Sequence, residues 1–302
     1  MDFLILIIFL QIILESLPIS SSGHLDLFSK ILNFNIPEYL EYFLHGPTII
    51  VLMIVFYKDW FYLFYFLLKG IFERLRLFIG RTVRRFGIAA KIDFTQNSVT
   101  QKISKYSYSR LLKIFTKILL LVFVANVITT FIWFFRKHFL INKFLINSNL
   151  ILFFGFCITA IFLFSLKLNL KRTININILF KFMILGIVQG VALLPGVSRF
   201  ASVYASARLL KIPQRRAFQI TFLLQFPLIL AGFFLGLNKM IKISSLYKIF
   251  NLPIFIGILF ATIISIFILF LCKRLAKNNK LWCLGFYMSI PILILFCWII
   301  YI

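Results

Sequence analysis

The order of apolar and polar residues along this chain predicts membrane helices. The first apolar run, residues 3–17, would form a helix of about 22 Å, which falls short of a hydrocarbon core of about 30 Å. Pro18 ends this run, and a second short piece follows at 21–33. Because irregular backbone is tolerated at membrane depth only where it lines a cavity, we predict a re-entrant helical hairpin whose tip is 18–23.

The second half of the chain repeats this pattern. A short apolar run at 182–194 ends at Pro195, and a short helix to about residue 212 follows. Paired, interrupted apolar segments indicate an internal repeat with a site at the repeat interface. The remaining apolar runs predict six full crossings, near 39–57, 113–135, 149–166, 217–237, 249–271 and 281–302. We therefore predict an all-α polytopic membrane protein, built as an inverted-topology repeat with two re-entrant hairpins and six spanning helices.

Composition and charge agree with this class. Of the 302 residues 62% are hydrophobic, and the net charge is +25. We predict a single integral membrane domain, 1–302, with repeat halves of about 1–140 and 141–302 and a basic cytoplasmic loop at about 74–110. The basic residues cluster between apolar runs without the stripe of a nucleic-acid-binding surface, so we expect contact with the lipid bilayer and no nucleic acid. With the basic loops in the cytoplasm, the first hairpin enters from the outer face, the second from the cytoplasm, and their tips meet.

Ionisable residues are scarce, which narrows the chemistry. There are eight acidic residues and three histidines, and no carboxylate follows Asp93. Glu15 lies inside an apolar run, where an ionisable group is costly and functional by default. Structural roles stay open for each candidate. Glu15 could be protonated and bonded to a neighbouring helix, and Arg199 could snorkel to an interface or pair with Glu15. The serines could serve at helix contacts or as N-caps, and His24 could be a hydrogen-bonded polar residue without a catalytic role.

The two predicted tips together hold the residues of a phosphoryl-transfer site. Ser20 to Ser22 and Ser198 are candidate N-caps, next to free backbone N–H groups and the positive ends of helices. Arg199 adds a fork of donors suited to phosphate oxygens. A hydroxyl nucleophile, His24 and Glu15 complete the set.

The motifs that carry these residues resemble those of the undecaprenyl pyrophosphate phosphatases of the bacitracin-resistance type. The family's (E/Q)xxxE element running into LPxSSxGH is matched by residues 11–24, and its PGxSR element by residues 195–199. The resemblance spans nearly the whole chain in order. Flanking matches are Glu41, His45, Thr48, Gln189 and the stretch FLLQFP at 222–227.

The resemblance implies a multi-pass enzyme of the bacterial inner membrane, with an active site that opens to the periplasm. It would hydrolyse undecaprenyl (C55) diphosphate to undecaprenyl phosphate and inorganic phosphate. This reaction recycles the carrier lipid for peptidoglycan synthesis and gives bacitracin resistance. A divalent cation, magnesium or calcium, is expected with it, and a homodimer is left open.

Roles for single residues follow from the same resemblance. Ser21 is the favoured nucleophile, with His24 as an alternative nucleophile or as the acid/base. Glu15 would orient or deprotonate the nucleophile and is also a candidate metal ligand. The candidate ligands of the substrate phosphates are Ser198, Arg199, Ser22 and Gln11.

The chain departs from the family pattern at several positions. The family usually continues SRSGxT, whereas this chain has Phe200 and Ser202 in that stretch and no hydroxyl at Val203. Gln11 offers no charge to a metal.

Two other functions are alternatives. Inverted repeats with broken helices are also the architecture of transporters, so a membrane transporter or polyprenyl-phosphate flippase is one of them. Transport alone needs no Ser-His pair, which favours the enzyme. A second membrane phosphatase family has a PSGH motif similar to residues 21–24, but it requires a later His and Asp, and neither occurs after Arg199.

Overall fold

The computed structural model describes residues 2–33, 37–58, 60, 98–136, 148–168, 176–242 and 252–301, and all regular structure within these ranges is helical. The helices are α1 Asp2–Glu15, α2 Ser21–Ile31, α3 Glu38–Phe43, α4 His45–Val55, α5 Ser98–Phe135, α6 Ser148–Ser165, α7 Ile178–Val191, α8 Arg199–Leu209, α9 Gln214–Lys242, α10 Leu252–Lys277, α11 Leu284–Tyr287 and α12 Ser289–Tyr301. The predicted basic loop lies outside the described residues as far as residue 97.

The chain divides into two compact units, residues 56–123 and the remainder, 1–55 with 124–302. In the smaller unit, Phe56 and Trp60 stack with their ring centroids 5.4 Å apart. The larger unit contains both predicted hairpins and every residue of the candidate site.

Five helical stretches among the described residues are long and apolar enough to cross a membrane. They are Thr116–Phe135, Ser148–Ser165, Gln214–Lys242, Leu252–Lys277 and Leu281–Ile300. The prediction of an all-helical, multi-pass membrane protein is therefore confirmed, while the repeat and the count of six crossings stay predictions.

The predicted crossing at 39–57 is a shorter apolar stretch, Tyr39–Val55, interrupted by a turn at Leu44. Pro47 consequently lies in the first turn of α4, where the missing N–H of proline removes no helical hydrogen bond.

Two helix–turn–helix segments lie where the hairpins were predicted, and their re-entry into the membrane stays a prediction. The helix α1 ends at Glu15 and α7 ends at Val191, each a few residues before the proline of its turn. The chain then restarts a helix at a serine N-cap, because the Ser20 hydroxyl accepts a hydrogen bond from the Gly23 N–H at 3.3 Å. The Ser198 hydroxyl accepts one from the Ala201 N–H at 3.2 Å. These two N-caps confirm the sequence prediction.

An apolar cluster on α6 holds the two hairpins in place. Leu152 and Phe156 of α6 are almost fully buried, and they belong to one cluster with Ile19 of the first hairpin and Ala201 of the second. The helix α6 therefore forms a common support for both hairpin tips.

Candidate active site

The two hairpin tips are in direct backbone contact. A Cβ atom at Gly23 would lie 2.6 Å from the Cα atom of Gly196, closer than real Cβ atoms approach a neighbour. Gly196 itself has φ +81°, a region that side chains disfavour, and a Cβ there would lie 2.7 Å from the Leu152 carbonyl oxygen. The prediction that the tips meet is confirmed, and two glycines make the contact sterically feasible.

We expect Gly23→Ala to lower the melting temperature of the purified protein. The added methyl group would overlap a backbone atom, which cannot rotate away, and overpacking of this kind costs about 1–3 kcal/mol. That cost corresponds to a fall of several degrees in Tm, measurable by a thermal shift assay in detergent.

Gly257→Ala is the matched control for this substitution. A Cβ at Gly257 of α10 would lie 3.4 Å from the Ile5 Cγ2 atom, an ordinary contact, and alanine is the better helix former. We expect its Tm to be unchanged or higher. Equal Tm values for the two variants would contradict the close approach at Gly23.

A cavity of about 30 Å³ lies where the tips meet. It is lined by Leu14, Glu15, Leu17 and Ser20 to Ser22 of the first hairpin, by Val197 to Phe200 of the second, and by Gln225 of α9. A single water needs about 10–15 Å³ by this measure, so the cavity has room for a small polar group. The structure thus brings together the carboxylate, the serines and the arginine that the sequence predicted.

Two helices begin at this cavity. Ser21 is the first residue of α2, Arg199 is the first residue of α8, and both line the space. A helix N-terminus carries roughly half a positive charge and free N–H donors. With the guanidinium of Arg199, the two termini supply positive charge and donors for an anion in a cavity that also holds the Glu15 carboxylate.

The serines of the cavity divide into two kinds. The hydroxyls of Ser20 and Ser198 accept the capping hydrogen bonds of their helices. The hydroxyls of Ser21 and Ser22 have no hydrogen bond to any residue that the structure describes. The second pair is therefore available to react with, or bind, a ligand.

Two residues of α4 hold the carboxylate of Glu15. Its Oε2 accepts a hydrogen bond from the Thr48 hydroxyl at 2.8 Å, and its Oε1 lies 2.7 Å from His45 Nδ1. Glu15 and His45 are 7% and 8% exposed, so water competes little for these contacts. The sequence indicated no role for His45 and Thr48, although their spacing of three places both on one helix face.

The structure places His24 outside the cavity lining. The histidine is 2% exposed, and its Nδ1 lies 2.8 Å from the Ser20 carbonyl oxygen, to which it donates. Its Nε2 lies 3.2 Å from the Tyr287 hydroxyl oxygen, and its ring packs edge-on against Phe156. Ser20 has φ +68°, which is unusual for a residue other than glycine. The hydrogen bond from His24 to the Ser20 carbonyl therefore stabilises the turn before α2. Its catalytic role stays a prediction.

The second turn is held by Thr159 of α6, another residue that the sequence did not single out. The Thr159 hydroxyl accepts a hydrogen bond from the Ser198 N–H and donates one to the Gly196 carbonyl, both at 2.8 Å. The Ser202 hydroxyl donates to the Ser198 carbonyl at 2.7 Å, and Val203 is fully buried. Neither Ser202 nor Val203 belongs to the cavity lining, so neither supplies it with a side-chain hydroxyl.

The residues that the structure describes do not form a metal site of their own. Within the described part of the chain, no group of three or more His, Cys, Asp or Glu residues is placed to hold a metal ion. Both Glu15 oxygens already face His45 and Thr48. Gln11 is fully buried away from the cavity lining, and its amide has no partner among the described residues. A divalent cation and the phosphate-binding role of Gln11 stay predictions.

Comparisons with known proteins point to one family. The family model described as bacitracin resistance protein BacA matches residues 4–293. A relative from Borrelia recurrentis (strain A1), named undecaprenyl-diphosphatase, is 30% identical over 93% of this chain and 92% of its own length. Proteins of the same name from Thermosipho africanus (strain TCF52B) and Treponema denticola (strain ATCC 35405) are 28% and 27% identical. They cover 95% and 91% of this chain, and 96% and 88% of their own lengths.

Proposed function

Because the chain belongs to the bacitracin resistance protein BacA family, we propose that it removes the terminal phosphate of undecaprenyl diphosphate. Its relatives carry the name undecaprenyl-diphosphatase. The products are undecaprenyl phosphate, the carrier lipid of peptidoglycan synthesis, and inorganic phosphate. The observation that carries this proposal is the cavity in which Arg199, two helix N-termini, a carboxylate and unbonded serine hydroxyls converge.

The terminal phosphate binds in the cavity while the polyprenyl chain stays in the bilayer. The N-termini of α2 and α8 and the guanidinium of Arg199 offset the negative charge of the diphosphate. Ser198 fixes the start of α8 through its N-cap and so orients the donors. Donors fixed before the reaction stabilise the charge that develops in the transition state.

The chemical step uses Ser21 and Glu15. The Ser21 oxygen attacks the terminal phosphorus, Glu15 accepts the hydroxyl proton, and the P–O bond to undecaprenyl phosphate breaks with its electron pair leaving on that product. Water then attacks the phosphoserine, the bond between phosphorus and the Ser21 oxygen breaks, and the proton held by Glu15 returns to that oxygen, which releases inorganic phosphate and restores both residues. His45 and Thr48 keep the carboxylate of Glu15 oriented in both steps. His24 remains the alternative nucleophile or acid/base.

The membrane arrangement belongs to the same proposal. Each hairpin has the same order of parts, namely a short apolar helix, a turn with proline, a serine N-cap and a second short helix. This likeness supports an internal repeat. The proposal adds that the two hairpins enter from opposite faces and that the site opens to the periplasm of a bacterial inner membrane. A homodimer stays a prediction.

Phosphate release from a polyprenyl diphosphate by the purified protein tests the proposed function. We expect inorganic phosphate and polyprenyl monophosphate in equal amounts, and a parallel assay with EDTA tests the predicted divalent cation. A well-folded protein that releases no phosphate would contradict the enzyme. Movement of labelled polyprenyl phosphate across liposomes without hydrolysis would then favour the transporter or flippase.

A further inference from the structure

Of the described residues that line the cavity, Gln225 alone comes from outside the two hairpins. It lies on α9, two positions before Pro227, and is 6% exposed. Its side-chain Nε2 is fully shielded from solvent and has no hydrogen-bond partner among the residues that the structure describes. The Gln225 side chain thus lines the cavity, and its amide donor has no acceptor among the described residues.

A buried amide without a partner is costly, because it has lost its water and gained nothing in exchange. Most buried polar groups in folded proteins are hydrogen-bonded, so each exception asks for an explanation. Gln189 of α7 shows how such a donor is usually satisfied, since its Nε2 donates to Asn126 Oδ1 at 3.2 Å and to the Leu224 carbonyl oxygen at 3.4 Å. Its Oε1 is buried without a partner among the described residues. Gln225, next to Leu224 in the chain, has no such acceptor in the part of the chain that the structure describes.

The chemistry of the missing acceptor follows from the neighbours of Gln225. A glutamine NH2 group carries two donors, and the cavity also holds the guanidinium of Arg199 and the N-termini of α2 and α8. All of these groups favour an anion with several acceptor oxygens. A phosphate group is such a partner, because its oxygens can accept hydrogen bonds from the amide, the guanidinium and the helix N-termini together.

We propose that Gln225 binds the substrate directly, by donating a side-chain hydrogen bond to a phosphate oxygen of the bound diphosphate. The identity of the substrate rests on the proposed function, whereas the recognition of an anion rests on the geometry of the cavity. Gln225 thereby contributes a phosphate-binding side chain from α9 to the site that the two hairpins form. The diphosphate is then held from three parts of the chain.

Gln225→Leu separates binding from stability. Leucine removes an unbonded polar group and keeps a similar volume, so we expect the ligand-free Tm to stay the same or rise. Loss of a hydrogen bond to a charged group should lower kcat/KM by about tenfold to a hundredfold. We also expect inorganic pyrophosphate to raise the Tm of the wild type and to raise that of the variant much less.

Two further variants make this test specific. Gln219→Leu is the same change on the same helix, at a half-buried residue outside the cavity lining, and should keep wild-type kcat/KM and the wild-type response to pyrophosphate. Gln225→Glu keeps the shape but replaces the donor by an acceptor. If leucine prevents folding, a clear loss of pyrophosphate response in Gln225→Glu still supports the proposal.

Hydrolysis and pyrophosphate binding by the wild type distinguish failure of the proposed enzyme activity from failure of the proposed contact between Gln225 and the anion. If the wild type hydrolyses polyprenyl diphosphate and both Gln225 variants match it in kcat/KM and pyrophosphate response, the role of Gln225 is overturned and the enzyme stands. If the wild type does not hydrolyse the lipid but its pyrophosphate response depends on Gln225, the enzyme is overturned and the anion contact stands. No response of the wild type to pyrophosphate overturns the contact.

Discussion

Arg199→Gln is expected to lower kcat/KM for polyprenyl diphosphate by at least about 10²-fold, the scale of losing one electrostatic stabiliser of a transition state. Arg199 begins α8 and lines the cavity, so its guanidinium adds a full positive charge to the partial charges of two helix N-termini. Glutamine keeps some hydrogen-bonding capacity and loses that charge. Initial rates of phosphate release over a range of substrate concentrations measure the effect.

Arg199→Lys and Arg216→Gln complete this comparison. Lysine restores the charge without the planar fork that binds two oxygens at once, so only partial activity should return. Arg216 is exposed at the start of α9, outside the cavity lining, and its change to glutamine alters the net charge equally. Rates for Arg199→Gln within about threefold of Arg216→Gln would contradict a phosphate-binding role.

The hairpins and their caps could be predicted because they depend on local chemistry. A proline after a short apolar run ends a helix, and a serine after the turn starts another, wherever the rest of the chain lies. The contact between Gly23 and Gly196 needed one further step, the pairing of two similar patterns in the two halves. That step was sufficient to place Glu15, the serines and Arg199 around one cavity.

Contacts between distant helices could not be predicted in the same way. Nearly every side of these helices is apolar, so the sequence does not mark which face meets which neighbour. The bond between His24 and Tyr287 joins residues 263 positions apart, and the contact between His45 and Glu15 joins α4 to α1. Both contacts depend on the packing of several helices at once.

The position of His24 differs from the expectation that its side chain lies beside the serines in the cavity, and a local hydrogen bond explains the difference. His24 follows Ser21 by three positions on α2, a spacing that usually places two side chains on one face. The ring nitrogen instead donates to the Ser20 carbonyl, one turn earlier, and the ring packs against Phe156. The histidine is therefore close to the serines in sequence but outside the lining of their cavity.

Ser21→Ala should lower phosphate release by at least about 10³-fold, because it removes the attacking oxygen and leaves the binding groups in place. Ser22 also lines the cavity with an unbonded hydroxyl, so Ser22→Ala is the necessary comparison. We expect it to have the smaller effect, that of one lost phosphate contact. Ser29→Ala, on α2 but outside the lining, should retain wild-type rates.

Trapping the covalent intermediate identifies the nucleophile independently of rates. After a short incubation with substrate labelled on the terminal phosphate, an acid quench preserves phosphoserine and destroys phosphohistidine, whereas an alkaline quench does the reverse. An acid-stable label that disappears in Ser21→Ala would establish the serine as the nucleophile. An alkali-stable label that persists in Ser21→Ala would assign the attack to His24. Its ring would then have to leave both the Ser20 carbonyl and Tyr287 in order to reach the phosphate.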